Sequence, residues 1–315
     1  MKPMPATPRA VATPLGRAAR EEKPMDMNIA GGAPLAPRGR SIGAILMEAG
    51  RLSPQEVDFI IEEQQQRNLR FGEAGLKLGL LKAEDIRYAL ARQFDHPYVI
   101  PGDTRLSEKL IAAFRPNSSV VEQMRALRSQ LMMRWLDPDR GRKMIAITSA
   151  QRYEGRSFIA ANLAVVFSQL GERTLLVDAD LRNPSMHKMF KLENRVGLSS
   201  LLARRADVSE AVVRINDLLG LSVLPAGPIP PNPQELIERE QFRAVLDEAS
   251  DSFDVIVMDT PAAALSADAY VASLRAGAAV VVARKNATPV NAVRSLTNGI
   301  SQSGAVVVGS VLNGY

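Results

Sequence analysis

The sequence predicts an α/β fold, a doubly wound and mainly parallel sheet, preceded by a small, mostly helical duplicated domain and a disordered basic tail. Three observations predict it. Six short apolar runs, Met144 to Ile147, Thr174 to Val177, Leu221 to Leu224, Val255 to Met258, Ala278 to Ala283 and Val306 to Leu312, alternate with helical segments. They lack the period-two alternation of a half-solvated strand, so they read as strands covered on both faces. Upstream, one helical unit is used twice. Ahead of that unit, Pro3, Pro5, Pro8, Pro14, Pro24, Pro34 and Pro37 stand among alanines, glycines and arginines with no helical or strand period.

In chain order, residues 1–39 form the tail, because they cannot bury enough apolar surface to order themselves. The first 40 residues carry a net charge of +4 out of a total of +5, so the basic character of the chain resides in its tail. The remainder is near neutral and only 5 % of residues are aromatic, which argues against nucleic-acid binding by a folded basic face. Residues 40–100 hold the duplication. Ile42-Gly43, Gly50, Leu52, Ile61 and Gln64 return as Phe71-Gly72, Gly79, Leu81, Leu90 and Gln93, each pair 29 positions apart. Each unit begins with an apolar helix that stops at a glycine, and Ser53-Pro54-Gln55-Glu56 or Lys82-Ala83-Glu84-Asp85 opens a second, amphipathic helix. Residues 101–117 are read as a linker. From 118 to 315 the pattern is that of one α/β domain, entered through an amphipathic helix, Val121 to Trp135, that ends near Asp137-Pro138.

At 315 residues, 46 % hydrophobic and 23 % charged, the chain has room for about two folded units and is neither fibrous nor wholly disordered. Cysteine is absent and histidine occurs only as His96 and His187, which excludes disulfide scaffolds, thiol nucleophiles, zinc knuckles and haem attachment and points to a reducing cytosol. No apolar run approaches the ~18 residues needed to cross a bilayer, so a membrane role is expected to go through a partner.

In a doubly wound sheet, ligands bind beyond the carboxyl ends of the strands. The first strand leads into Ala150-Gln151-Arg152-Tyr153-Glu154-Gly155-Arg156-Ser157 and then a helix. This approximates the phosphate loop (P-loop), in which backbone N–H groups cradle phosphates, a cation holds the terminal phosphates and a hydroxyl ligates magnesium. The second run ends in Asp178-Ala179-Asp180-Leu181-Arg182, the fourth in Asp259-Thr260-Pro261. A single strand-end aspartate is commonly a turn or helix cap. A phosphate loop, a paired-aspartate strand end and an Asp-Thr-Pro strand end, in that order, argue for magnesium-nucleotide binding.

On these residues, together with Asn183-Pro184, His187, Phe253 to Met258 and the closing Val311-Leu312-Asn313, residues 118–315 resemble the bacterial polysaccharide tyrosine autokinases of the chain-length-determinant (EpsG) type. Glu122, Arg125 and Arg128 reproduce the family's E-x-x-R-x-x-R helix, which in relatives mediates subunit contacts; a Glu122–Arg125 pair would equally be an ordinary solvated ion pair. Related partitioning and septum-positioning ATPases carry a signature lysine where Gln151 and Arg152 stand, so the kinase branch is favoured. The resemblance implies Arg156 in place of the phosphate-loop lysine, Ser157 on magnesium, Asp178 as a metal-linked acid or general base, Asp180 as its support, and Asp259 as a second magnesium acid. It also implies Glu154, Gly155, Arg156, Ser157, Phe158 and Asn313 around ATP. Two positions depart from the family: Arg156 replaces a compact ammonium with a planar fork, and Tyr153 stands where the family has glycine. If that position needs φ > 0, the side chain costs roughly 1–2 kcal/mol.

Many relatives end in a tyrosine cluster phosphorylated in trans; here Tyr315 is the sole exposed-looking acceptor. The duplicated segment resembles the N-terminal domain of type II secretion and pilus ATPases, some of which bind cyclic di-GMP. Only the second repeat opens with an arginine two residues before its glycine, Arg70-Phe71-Gly72 against Ser41-Ile42-Gly43, and a helical docking module is the preferred reading. Two functions stay open. The first is an ATP-dependent protein tyrosine autokinase in exopolysaccharide synthesis and chain-length control. It would be cytoplasmic, homo-oligomeric and held at the inner membrane by a membrane polysaccharide co-polymerase. The second is a non-catalytic nucleotide-binding regulator, cyclic di-GMP included, of the same machinery.

Overall fold

The computed structural model describes residues 41–93, 106–218 and 220–314, so the expected disordered tail and the Tyr315 acceptor lie outside the described residues. The duplication folds as two helix pairs, α1 (Ile42–Glu48) with α2 (Pro54–Arg67) and α3 (Phe71–Lys77) with α4 (Ala83–Gln93). The repeat extends to its hydrogen bonds. The Ser53 N–H donates to the Glu56 carboxylate at 2.7 Å, and 29 residues later the Lys82 N–H donates to Asp85 at 2.8 Å. Gly50 and Gly79 follow α1 and α3 in left-handed conformations, φ 67° and 70°, where a side chain would be strained. Leu46, Ile60, Ala74 and Ala89 are fully buried in this module's own core.

The larger body is built on a seven-stranded sheet. Its strands are β1 (Met144–Ser149), β2 (Thr174–Asp178), β3 (Val213–Arg214), β4 (Leu221–Leu224), β5 (Val255–Asp259), β6 (Ala278–Arg284) and β7 (Val306–Asn313), in spatial order β3-β4-β2-β5-β1-β6-β7. Every neighbouring pair is parallel except β3 with β4. The two-residue β3 is the strand beyond the six expected ones; it is too short to leave a hydrophobic signal. The six apolar runs become β1, β2 and β4 to β7.

The absence of polar alternation in those runs has a direct cause. Ile145, Ile147, Leu176, Val257, Val280 and Val282 point into a core formed with α5 (Ile111–Phe114), α6 (Ser119–Arg134), α7 (Arg156–Ser168) and α8 (Met186–Met189). Ala146, Leu175, Val177, Ile256, Met258, Ala279 and Val281 point the other way. There they meet α9 (Leu198–Leu202), α10 (Val208–Ala211), α11 (Pro233–Glu238), α12 (Glu240–Ser252), α13 (Asp268–Ala276) and α14 (Val290–Gln302). Both faces are covered over β1, β2, β5 and most of β6, so both phases of those strands are apolar. The edge strand β7 departs from the expectation, with Val306 51 % and Leu312 68 % exposed. Helix α7, which leaves the phosphate loop, is buried at every position from Ile159 to Ser168 and is correspondingly apolar there except at Asn162 and Ser168.

The described part of the expected linker, residues 106–117, is packed on the larger body. Leu110, Ala112 and Ala113 are fully buried against α7, because the run Leu110 to Phe114 supplies enough apolar surface to join the core. Asn162, buried in α7, clamps this segment: its Oδ1 accepts from the Ala112 N–H at 2.9 Å and its Nδ2 donates to the Lys109 and Phe158 carbonyls at 3.0 and 2.9 Å. An Asn162→Leu variant leaves buried backbone groups without partners and should unfold with about 2–3 kcal/mol less free energy in urea titrations.

Candidate functional site

Parallel pairing of β2 with β5 makes Asp178 and Asp259 direct register partners at the carboxyl ends of adjacent strands. Both are fully buried. Burial pushes the Asp178 carboxyl up to about 8, helped by the neighbouring Asp259 and opposed by the backbone N–H groups of Met186 and Ser185. Those two N–H groups donate to its Oδ2 at 2.9 Å each, and the Asp180 N–H reaches Oδ1 at 3.3 Å. Burial raises Asp259 as well, against the opposing pull of Arg156 and the Ser157 hydroxyl.

Arg156 answers this concentration of acid. It is the first residue of α7 and only 9 % exposed, and its three nitrogens diverge to three acceptors. Nε donates to Asp259 at 3.1 Å, Nη1 to the Ser149 hydroxyl at 2.9 Å and Nη2 to Asp180 at 3.2 Å. The second oxygen of Asp259, Oδ2, is buried with no hydrogen-bond partner.

The loop itself is fastened at both sides. The buried Glu154 side chain accepts from the Gln151 N–H at 2.9 Å and from the Thr288 hydroxyl, while Asn313 Nδ2 donates to the Glu154 carbonyl at 3.0 Å. Gly155 has φ 91°, and a Cβ there would lie 2.1 Å from the Asn313 amide, so a side chain would be strained and would displace the Asn313 hold on the loop. Tyr153 also has positive φ, 64°, without being glycine, and its ring projects outward, 81 % exposed. The strain anticipated for this position is therefore present.

Two cavities flank the loop. One of about 430 Å³ is lined by Arg156, Ser157, Asp180, Asn183, Lys188 and Leu265 among others; the second, about 600 Å³, lies between the loop and α5–α6, with Arg115, Ser118, Arg284 and Asn313 in its wall. Lys109, Tyr153, Gly155 and Phe158 line both. Of the residues expected around a nucleotide, Gly155, Arg156, Ser157 and Phe158 thus meet at one place with Asp180, and Asn313 stands in the larger cavity. Asp178 sits differently: it is absent from the linings described and has both oxygens engaged by backbone N–H groups, so its geometry is that of a support for residues 180–186. Glu122 pairs with Arg125 on α6, and Arg128 donates to the Val166 carbonyl at 2.8 Å within the same chain. Sequence reasoning missed Ser149, Thr288, Lys109, Arg115, Lys188 and Arg284. A lone hydroxyl or cation near a strand end carries no pattern, and Lys109 and Arg115 were hidden in the supposed linker.

The donor set fits a divalent cation. Asp259 Oδ2 lacks a partner and the Ser157 hydroxyl stands at the start of α7, both hard oxygens of the kind magnesium takes. Among the described residues no three His, Cys, Asp or Glu side chains converge to hold an ion alone, so phosphate oxygens would have to complete the ligand shell.

Comparison with known proteins finds relatives in sequence and in fold. A family model described as an AAA domain (AAA_31) matches residues 142–304. The chain is 37 % identical over 211 residues to the tyrosine-protein kinase YwqD of Bacillus subtilis, covering 67 % of this chain and 88 % of YwqD. The chimerical protein CapA2B2 superposes with a TM-score of 0.61 at 34 % identity over 74 % of this chain and 98 % of its own. The kinase domain of Escherichia coli ETK gives 0.61 at 31 % identity, over 65 % and 79 %.

Replacing Arg156 by Ala leaves Asp180 and Asp259 buried without a counter-charge, and should lower the unfolding free energy by about 3–5 kcal/mol. Arg156→Lys keeps the charge but cannot meet three acceptors from one nitrogen, and should fall between the two. Urea denaturation of the three proteins orders them.

Proposed function

The chain belongs to the bacterial tyrosine-protein kinases, and we propose that it transfers the γ-phosphoryl group of ATP to protein tyrosine hydroxyls. One observation carries this reading: the cationic loop at Gly155-Arg156-Ser157 and Asp180 line a single cavity, with the strand-tip Asp259 buried behind it and bonded to Arg156. Phosphoryl transfer needs positioning and charge neutralisation more than covalent participation by the protein, and this set supplies both.

The backbone N–H groups at the start of α7 receive the phosphates, with Arg156, Lys109 and Lys188 as cations around them. Ser157 and Asp259 would hold magnesium, which supplies neutralisation of the triphosphate charge when bound. The larger cavity takes the nucleoside, with Asn313 and Arg284 on its wall. Asp180 lines the cavity, although its oxygens are held by Arg156 and by the Arg182 and Asn183 N–H groups. On this reading it would receive the phenolic proton once Arg156 turns to the phosphates, and Asp178 would hold residues 180–186 from below.

Among the described residues no helix is long and apolar enough to cross a membrane. We read the protein as acting at the cytoplasmic face in exopolysaccharide chain-length control, beside a membrane co-polymerase. The Glu122–Arg125 pair on α6, with Glu122 exposed and Arg125 half-buried, is offered for contacts between copies, in which Arg128 takes part only through its hold on α7. Cyclic di-GMP gains no support from the likenesses found, and the helical module is read as a docking unit. A second reading, a nucleotide-binding regulator without turnover, is favoured by the engagement of Arg156 with two of the chain's own acids, Asp180 and Asp259, and the Ser149 hydroxyl.

Phosphotyrosine formed from radiolabelled ATP and magnesium decides between them. Asp180→Asn should slow label transfer by about 10²–10⁴-fold while nucleotide still binds. Nucleotide binding by the wild-type chain without any transfer would select the regulator.

A further inference from the structure

The sequence left Tyr315 as the sole exposed-looking acceptor; the structure adds another. Among the described residues, Tyr88 is partly buried with the Arg51 guanidinium 4.6 Å from its ring, and Tyr270 is partly buried against α14, where a Cβ on Gly299 would lie 2.5 Å from its ring. Tyr153 differs from both: 81 % exposed, at the tip of the phosphate loop, in the lining of both cavities. Its left-handed backbone turns the phenol away from the protein, at a conformational cost a glycine would avoid. The Arg152 guanidinium lies 5.3 Å from its ring, and Lys109 lines the same two cavities.

We propose that Tyr153 is a phosphoryl acceptor for a second copy of this chain, and that its phosphorylation releases the loop's hold on nucleotide. The proposal rests on the kinase reading and deepens it. In-line transfer requires the phenol to arrive opposite the departing ADP. Tyr153 belongs to the loop read as wrapping the triphosphate, and its ring projects outward, 81 % exposed, where a second copy can reach it, so the donor is taken to be another copy. The phenol oxygen of one copy forms the new O–P bond. The bond between the γ-phosphorus and the β–γ bridging oxygen breaks, ADP leaves with the electron pair, and the phenolic proton passes to Asp180 of the donor copy. The product is a dianion at the mouth of the triphosphate cavity, where Arg152 and Lys109 can pair with it. Those cations are then withdrawn from the nucleotide, and the like charge repels it. The reaction limits itself.

The test mixes unlabelled full-length wild type with a ¹⁵N-labelled Asp180→Asn copy in magnesium and ATP, followed by phosphosite mapping with a protease other than trypsin. The expected result is phosphate on Tyr153 of the ¹⁵N copy, with the modified protein binding ATP about tenfold or more weakly. Tyr153→Phe should abolish that modification while melting within a few degrees of wild type. Phosphate on other tyrosines with Tyr153 untouched overturns the proposal and leaves the kinase reading standing. Phosphotyrosine nowhere overturns both, and phosphate on Tyr153 with unchanged ATP affinity overturns the release of nucleotide.

Discussion

Two carboxylates side by side at the tips of adjacent parallel strands are the constraint from which the rest of this site follows. Asp178 and Asp259 are register partners with no exposure to water, and such a pair is tolerable only with compensation. The chain compensates in two ways. Asp178 is surrounded by backbone N–H groups that fix residues 180–186, and Asp259 is met by a guanidinium. A lysine would place one positive point at this junction. Arginine spreads its charge over three acceptors, so it also ties β1, through Ser149, to the acid at residue 180.

The fold was largely legible because its information is carried by long, redundant patterns. Six apolar runs with both phases apolar require a sheet covered on two faces, and the observed cores divide alternate residues of β1, β2, β5 and β6 between those faces. The exact repeat of 29 residues in the helical module survives as a repeat of cap hydrogen bonds. Illegible features were those settled by a single distant contact. The stretch before α6 read as a linker because its polar residues outnumber the apolar run Leu110 to Phe114, yet Asn162, fifty residues later, binds it to α7.

The site was legible as an inventory and less so as an arrangement. The acids and the loop were named because strand ends in a parallel sheet converge, and Asn313 because the family resemblance implies it. Which acid faces the cavity depends on the turn after β2, which no spacing rule fixes; the structure puts Asp180 in the lining and Asp178 beneath it. Tyr153 stands at a family glycine where strain follows only if φ is positive; φ is 64°, and the exposure of the ring follows from the direction in which that backbone points.

The hydrogen bonds around Glu154 link what would otherwise be separate regions. Its side chain joins the Thr288 hydroxyl, which in turn accepts from the Arg284 N–H at 2.8 Å, and its carbonyl is held by Asn313. Arg284 and Asn313 belong to the wall of the larger cavity, whereas Glu154 belongs to the loop beside the smaller one. A nucleotide spanning both would be sensed as one object. Free adenosine and free tripolyphosphate, each engaging one end, would then sum to less affinity than the intact molecule, because neither fragment alone tightens the whole chain of bonds.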